Sequence, residues 1–169
     1  MARNIEIKAR VLDMDAITTA ALAIADTAPV KTQQDDTFFA CDRGRLKLRA
    51  FINGTGQLIF YRRANESGPT ESFYCLSQTE HADSLRETLS LAHGQVGRVK
   101  KVRTLLMVGR TRIHLDVVEG LGNFMELEVV LEESESIEVG MEEAKTLMLK
   151  LGIRAQDLIE EAYVDLLAS

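Results

Sequence analysis

The sequence has few of the features that define several common classes of protein. Its 169 residues include only two cysteines, Cys41 and Cys75, and their spacing matches neither a CxxC motif nor a zinc site. We therefore expect reduced thiols and no disulfide framework. Only two prolines occur, Pro29 and Pro69, and both lie in predicted loops. Internal repeats and low-complexity linkers are also missing, so we predict a single domain over residues 1–169.

Signals for membranes, export and nucleic acids are missing as well. No stretch approaches the roughly 20 apolar residues that a transmembrane helix needs. Charges at Arg3, Glu6 and Lys8 precede any apolar run, which argues against a signal peptide. The formal net charge of −6 disfavours a nucleic-acid surface. We therefore expect a cytoplasmic protein with neither a membrane nor a nucleic-acid partner.

Alternation of polar and apolar residues predicts a chain dominated by β-strands. Residues 4–10, NIEIKAR, alternate strictly, and seven further segments have strand patterns, including DDTFFACD at residues 35–42. The tetrapeptide NGTG at residues 53–56 predicts a hairpin turn, because Asn and Gly tolerate positive φ. Strands in close succession predict an antiparallel sheet, and about eight strands are enough to close a barrel.

Helical patterns occupy the segments between and after these strands. MDAITTAALAIAD has Asp13 or Asp15 available as an N-cap, and HADSLRETLSLAHG is expected to end near Gly94. The C-terminal part is predicted to contain two helices, EVGMEEAKTLMLKLG and AQDLIEEAYVDLLA, divided by Gly152.

Charged side chains share one face of most predicted strands. In RLKLR, for example, Arg45, Lys47 and Arg49 alternate with two leucines. A sheet packed on helices with a solvated outer face would explain such a strand. Three observations argue against this explanation. The ionic faces contain little Ser or Thr, although solvated strands favour Thr. Cations and carboxylates also lie on different strands, and the few helices could cover only one face of the sheet. Together these features favour a closed barrel with the charges inside.

Charges of one sign inside a barrel are costly unless a ligand compensates them. Arginine and lysine match phosphate oxygens, arginine by bidentate contacts. Glu6, Glu126 and Glu128 offer hard oxygen ligands suited to Mg²⁺ or Mn²⁺. The pattern therefore predicts a substrate with several adjacent phosphates bound beside a divalent cation.

The same segments resemble the CYTH superfamily, or triphosphate tunnel metalloenzymes, which includes class IV adenylate cyclases, thiamine triphosphatases and inorganic triphosphatases. The family signature is an E-x-E-x-K strand, here NIEIK, followed in family order by RLKLR, LIFYRR, VKKVR, TRIHLDVVEGLG and FMELEVVL. These matches cover about residues 3–131 and are most similar to the class IV cyclase-like branch. Asn4 replaces the first glutamate of the signature, which leaves open the affinity for a second metal and activity itself.

The resemblance implies an α+β fold with a closed eight-stranded antiparallel barrel, a charged tunnel and helices packed outside. It implies catalytic roles for Lys8, Arg63 and Arg112. The implied triphosphate-binding residues are Lys8, Arg45, Lys47, Arg49, Arg63, Lys101, Arg103 and Arg112. The implied metal ligands for Mg²⁺ or Mn²⁺ are Glu6, Asp116, Glu126 and Glu128. For Asp116 an alternative role is to anchor one of the arginines.

The implied reaction is conversion of ATP to cyclic AMP and pyrophosphate. Hydrolysis of the terminal phosphate of thiamine triphosphate or tripolyphosphate is an alternative, and a non-catalytic module for triphosphates or polyphosphate is another. A lipocalin-like carrier is disfavoured, because its cavity should be apolar. His114 is a candidate general base, although a lone histidine between ionic neighbours is more often structural. We expect a monomer or a homodimer.

Overall fold

The alternating segments form an antiparallel barrel. The computed structural model describes residues 2–63 and 68–169, and within them the strands are β1 (Ala2–Arg10), β2 (Val30–Phe39), β3 (Arg45–Ala50), β4 (Gly56–Arg63), β5 (Thr70–Thr79), β6 (Gln95–Val108), β7 (Thr111–Val118) and β8 (Gly122–Leu131). The order around the barrel is β1-β5-β4-β3-β2-β6-β7-β8, and antiparallel pairing of β8 with β1 closes it. The predicted α+β closed barrel is confirmed.

Strand β2 begins at Val30, earlier than the predicted start at Asp35. Residues 30–34 pair with β6 on one side, whereas the pairing of β2 with β3 starts only at Asp35. The polar run KTQQ has no strong strand pattern of its own. Backbone hydrogen bonds to β6, which the local sequence does not reveal, therefore extend the strand.

The helices of the described chain are α1 (Met14–Ile24), α2 (Ala82–His93), α3 (Ile137–Lys150) and α4 (Tyr163–Ala168). Asp13 is the N-cap of α1, since its side chain accepts a hydrogen bond from the backbone N–H of Ala16 at 3.0 Å. Gly94, with φ of 77°, ends α2 as predicted. No helix of the described chain is long and apolar enough to cross a membrane.

The prediction of a continuous helix over AQDLIEEAYVDLLA is wrong. A 3₁₀ turn covers Ala155–Asp157, the chain then runs without helix to Ala162, and α4 starts only at Tyr163. Leu158 forms an antiparallel bridge with Ala9, and the Ile159 N–H donates to the Lys8 carbonyl at 3.0 Å. These long-range backbone contacts to β1 replace the hydrogen bonds of a local helix.

The apolar faces of the strands point outward and pack beneath helices. Ile5 and Ile7 of β1 are buried in a core that also contains Ala21 of α1 and Ala144 of α3. Gly140 permits this close packing of α3, because an added Cβ would lie 2.7 Å from Ile5 Cγ1. Since the apolar faces are covered from outside, the ionic faces of the same strands point into the barrel.

Candidate active site

The interior of the barrel is a cavity of about 790 Å³ with a strongly ionic lining. Carboxylates of Glu6, Glu126 and Glu128 line it. All predicted triphosphate-binding side chains line it too, namely Lys8, Arg45, Lys47, Arg49, Arg63, Lys101, Arg103 and Arg112. Among the described residues, the lining contains nine Lys or Arg and five Asp or Glu side chains, and therefore an excess of positive charge.

Strands β1 and β8 bring the three glutamates together. Glu6 lies opposite Glu128 in the strand register, and Lys8 lies opposite Glu126. Each carboxylate contacts a cation: Glu126 Oε2 accepts from Arg103 Nη2 at 2.7 Å, and Glu128 Oε2 accepts from Arg112 Nε at 2.7 Å. The weakest of these contacts joins Glu6 Oε2 to Arg63 Nη1 at 3.5 Å.

Burial and neighbouring carboxylates raise the pKa of Glu6, and the Arg63 contact offsets this only in part. Burial, followed by the charges of Glu128 and Glu126, raises the pKa of this carboxyl from 4.5 to about 7. Burial also acts to raise the pKa of Glu126, but the charges of Arg103 and Lys8 outweigh it and hold that pKa well below its usual range. A cation added beside Glu6 would relieve the repulsion among the three glutamates.

These glutamates fit a hard divalent cation by the chemistry of their oxygens. In residues 2–63 and 68–169, however, no three His, Cys, Asp or Glu side chains are arranged so that they could hold a metal ion. One oxygen of each of two glutamates is already paired with arginine, Glu126 Oε2 with Arg103 and Glu128 Oε2 with Arg112. A metal ion on these same oxygens would have to displace the arginine contacts.

Asp116 is placed differently from the three glutamates. It is fully buried, and both of its oxygens accept hydrogen bonds from Arg103, at 2.7 and 2.6 Å. Its Oδ2 also accepts from the Tyr163 hydroxyl at 2.9 Å. This geometry favours the alternative role of Asp116 as an anchor for Arg103 over its predicted role as a metal ligand.

Asp36 is an acidic residue of the tunnel that sequence reasoning missed. It is buried on β2 and accepts from Arg49 Nε and Nη2, both at 2.8 Å, and from Lys101 Nζ at 3.0 Å. Lys47 Nζ lies 3.2 Å from Asp36 Oδ2, so this one carboxylate contacts three cations. Burial lowers the pKa of Lys101 to about 7, although Asp36 opposes this shift. The alternation of Gln34, Asp36 and Phe38 along β2 was the available signal for an inward aspartate.

Comparison with known proteins identifies this charged barrel. The CYTH domain model matches residues 2–163. The chain belongs to the CYTH domain family. It is 24% identical over 168 residues to adenylate cyclase CyaB from Aeromonas hydrophila, covering 95% of this chain and 86% of that protein.

Solved structures share the CYTH fold with this chain. The PH1012 protein from Pyrococcus horikoshii OT3 matches with a TM-score of 0.85 and 22% identity, over 96% of this chain and 98% of that one. HpAC1 from Hippeastrum, for which a dominant triphosphatase activity is described, matches with a TM-score of 0.64 and 15% identity, over 99% and 94% of the two chains. At these identities the likeness shows a common fold.

The C-terminal segment of this CYTH chain contacts the tunnel at one mouth. Lys8 Nζ donates to the Glu161 carbonyl at 3.1 Å and lies 4.4 Å from the centroid of the Tyr163 ring. Arg63 donates to the Glu160 carbonyl. Val164 docks against Gly97, where a Cβ would overlap its side chain. Sequence reasoning missed this arrangement, because it depends on the non-helical path of the chain before α4.

Two further residues of the CYTH signature segments have defined positions. His114 is buried, and its Nε2 lies 3.1 Å from Glu128 Oε2 without hydrogen-bond alignment, so neither ring nitrogen is bonded within the described chain. Burial, then the Arg103 charge, lowers the pKa of His114. Asn4 is also buried; in the amide orientation that satisfies its hydrogen bonds, Oδ1 accepts from Arg112 Nη2 at 3.2 Å. Asn4 thus contacts a predicted phosphate-binding residue.

The raised pKa of Glu6 predicts a pH-dependent stability. Because the folded pKa lies above the ordinary 4.5, the stabilising contribution is fully present below about pH 4.5 and is lost as pH rises through about 7. We expect the melting temperature of the ligand-free chain to fall across this range relative to a Glu6→Gln variant. Mn²⁺ should raise the melting temperature of the unmodified chain more at about pH 8 than at about pH 5. A difference between the two proteins that stays constant with pH would contradict this assignment.

Proposed function

We propose that this CYTH chain is a divalent-metal-dependent enzyme that binds a triphosphate inside the barrel and, like a class IV adenylate cyclase, converts ATP to cyclic AMP and pyrophosphate. One observation supports this proposal above the others. A single cavity holds all eight predicted triphosphate-binding cations together with Glu6, Glu126 and Glu128. Such a lining suits a polyanion that carries its own counter-cation.

Transfer reactions at phosphorus depend mainly on positioning and charge neutralisation, and this chain's residues can supply both. Arg103 is held by Asp116, and Arg49 and Lys101 are held by Asp36, so these cations are oriented before a ligand arrives. Lys8, Arg63 and Arg112 lie beside the glutamates and would bind phosphate oxygens once those carboxylates exchange partners. Mg²⁺ or Mn²⁺ on Glu6, Glu126 and Glu128 would polarise the phosphate and balance leaving-group charge.

In the proposed cyclisation, the ribose 3′-oxygen forms a bond to the α-phosphorus as the bond to the pyrophosphate oxygen breaks. The pyrophosphate leaves with the electron pair, and the proton of the 3′-hydroxyl ends on this leaving group, so that the products are cyclic AMP and protonated pyrophosphate. Negative charge therefore grows on the departing oxygens, where arginine and lysine side chains of the tunnel stabilise it. Because Asp116 already orients Arg103, and Asp36 already orients Arg49 and Lys101, these cations need to move little when the transition state forms.

Hydrolysis of the terminal phosphate is the second candidate. It uses the same cations and carboxylates, with water as the nucleophile, and HpAC1 is a protein of this fold for which triphosphatase activity is described. Asn4, in place of the first signature glutamate, motivates a third candidate, a binding module without turnover. For both of these candidates, the bound triphosphate is a nucleotide, thiamine triphosphate or tripolyphosphate.

Product analysis separates these candidates. The chain is incubated with ATP, thiamine triphosphate or tripolyphosphate, each with Mg²⁺ or Mn²⁺. Cyclic AMP with pyrophosphate is the result that the proposal expects, whereas orthophosphate release would replace it with the hydrolase. If the chain binds a triphosphate without converting it, only the binding module remains as a candidate. If it neither binds nor converts any of the three compounds, every version of the proposal is contradicted.

Replacing Arg49 by alanine should raise KM for the triphosphate substrate by about 10- to 100-fold, because a hydrogen bond to a charged group is worth about 1.5–3 kcal/mol. Steady-state rates against substrate concentration measure this effect. Arg98→Ala is the matched control: Arg98 also binds an aspartate through two hydrogen bonds, to Asp35 at 2.8 and 2.6 Å, but does not line the tunnel. An equal KM for the two variants would count against a phosphate contact by Arg49.

We also propose that residues 1–169 form one CYTH-like domain. The last segment of the chain returns to the first strand through the bridge between Leu158 and Ala9. Arg45 on β3 pairs with Asp165 on α4 at 2.5 Å, which joins the middle of the chain to its end.

A further inference from the structure

His114 is a buried polar side chain of the tunnel whose ring nitrogens have no partner in the fold. It lies on β7, lines the cavity and exposes only 7% of its side chain. Neither Nδ1 nor Nε2 has a hydrogen-bond partner within the described chain. Buried polar atoms are nearly always hydrogen-bonded, because desolvation without a bond is costly. An imidazole left in this state beside an ionic cavity indicates a partner that comes from outside the chain.

The strand register explains why the neighbouring strands supply no partner for this ring. On β6 the residue opposite His114 is Leu105, whose side chain has no hydrogen-bonding group. On β8 the residue opposite is Glu126, and its Oε2 is paired with Arg103. The imidazole therefore lies between an apolar side chain and a carboxylate that is engaged elsewhere.

The distance from His114 Nε2 to Glu128 Oε2 suits two ligands of one metal ion. It is 3.1 Å, without the alignment of a hydrogen bond. Two ligand atoms that lie about 2.1 Å from an octahedral ion, at right angles to each other, are about 3.0 Å apart. Arg112 Nε contacts the same oxygen of Glu128 at 2.7 Å. An ion that displaces Arg112 from this oxygen would therefore reach the imidazole nitrogen as well.

We propose that His114 is a nitrogen ligand of the divalent cation in the tunnel, beside Glu126 and Glu128, and that it makes the site prefer a transition-metal ion such as Mn²⁺ or Co²⁺ to Mg²⁺. Carboxylates alone suit Mg²⁺ and Mn²⁺ alike, whereas Mg²⁺ is held by oxygen and gains little from an imidazole. For sites with nitrogen and oxygen ligands, affinity rises from Mn²⁺ to Co²⁺. This inference rests on the proposed function and narrows its cofactor to a transition-metal ion.

Pulsed electron paramagnetic resonance of Mn²⁺ bound to the unmodified chain tests the nitrogen ligand directly. We expect coupling of the electron spin to an imidazole ¹⁴N nucleus, replaced by coupling to ¹⁵N when the histidines are labelled with ¹⁵N. His114→Gln should abolish this coupling, because glutamine offers an amide oxygen in place of the ring nitrogen. His93→Gln is the matched control, since His93 is exposed at the end of α2 and does not line the tunnel, and it should keep the coupling.

Titration calorimetry with Co²⁺ and with Mg²⁺ separates a ligand from a residue that only supports Glu128. We expect His114→Gln to weaken Co²⁺ binding about tenfold or more and to leave Mg²⁺ binding within about threefold, because the amide oxygen is a donor that Mg²⁺ accepts. His93→Gln should leave both affinities unchanged. An equal loss for the two ions would assign His114 to the support of Glu128 by a hydrogen bond and would overturn the inference.

Failure of this inference is distinguishable from failure of the proposed function. Mn²⁺ that binds the unmodified chain without nitrogen coupling overturns the role of His114 and leaves the metal-dependent enzyme in place. If the unmodified chain binds no divalent cation, the proposed function fails first. Far-UV circular dichroism checks that His114→Gln is folded; if it is not, the ¹⁴N and ¹⁵N couplings of the unmodified chain and of His93→Gln decide the result.

Discussion

Glutamine in place of Glu126 or Glu128 is expected to abolish metal-dependent turnover, with a rate loss of more than about 100-fold. Loss of a group that only supports a metal ligand costs about 10- to 100-fold in metal affinity or activity, and loss of a ligand should cost more. Glutamine keeps the shape of the side chain but removes the charge that a divalent cation needs. The fold should persist in the Glu126 variant, because Arg103 retains both hydrogen bonds to Asp116. It should persist in the Glu128 variant, because the partner Arg112 is 28% exposed and can be solvated.

The measurements are initial rates and Mn²⁺ affinity by titration calorimetry. Glu71→Gln is the matched control, since Glu71 also pairs with an arginine, Arg3, at 2.7 Å, but does not line the tunnel. The control should retain both rate and Mn²⁺ affinity. Full activity of the Glu126 and Glu128 variants would rule out their role as metal ligands.

Asparagine in place of Asp116 is expected to lower the free energy of unfolding by about 3 kcal/mol, the lower end for breaking a buried ion pair, because Arg103 keeps only Glu126 as a counter-charge. For a domain of this size, this corresponds to a fall in melting temperature of about 10 °C. Asp116 is 0% exposed, and its partner Arg103 is 5% exposed. The hydrogen bond from the Tyr163 hydroxyl would weaken too, so the C-terminal segment should dock less tightly.

Thermal and urea unfolding measure this loss. Asp35→Asn is the matched control, because Asp35 forms the same two-bond pair with Arg98, in which the side chains are 27% and 45% exposed. Exposed ion pairs contribute about 0–1 kcal/mol to the free energy of unfolding, so Asp35→Asn should change that free energy little. Equal losses in the two variants would show that burial of the Asp116 pair does not govern its contribution.

The local periodicity of the sequence was sufficient to predict much of the fold. Strict alternation in NIEIKAR and RLKLR indicated strands with one ionic face, and the scarcity of helices indicated that this face points inward. The structure places Glu6, Lys47 and Glu128 in the tunnel lining, as the alternation requires. A period of two residues is a short-range property of an extended chain, and it survives any choice of tertiary partner.

The sequence by itself determined the strands, their inward ionic faces and the CYTH signature. Only the tertiary structure decided which charges are neutralised inside the tunnel. Asp36 serves three cations from β3 and β6, and Tyr163 reaches Asp116 across 47 residues of sequence. Both arrangements follow from strand register and from the bridge that prevents a continuous C-terminal helix. Ion pairing and burial depend on distances between segments remote in the chain, and no local pattern encodes those distances.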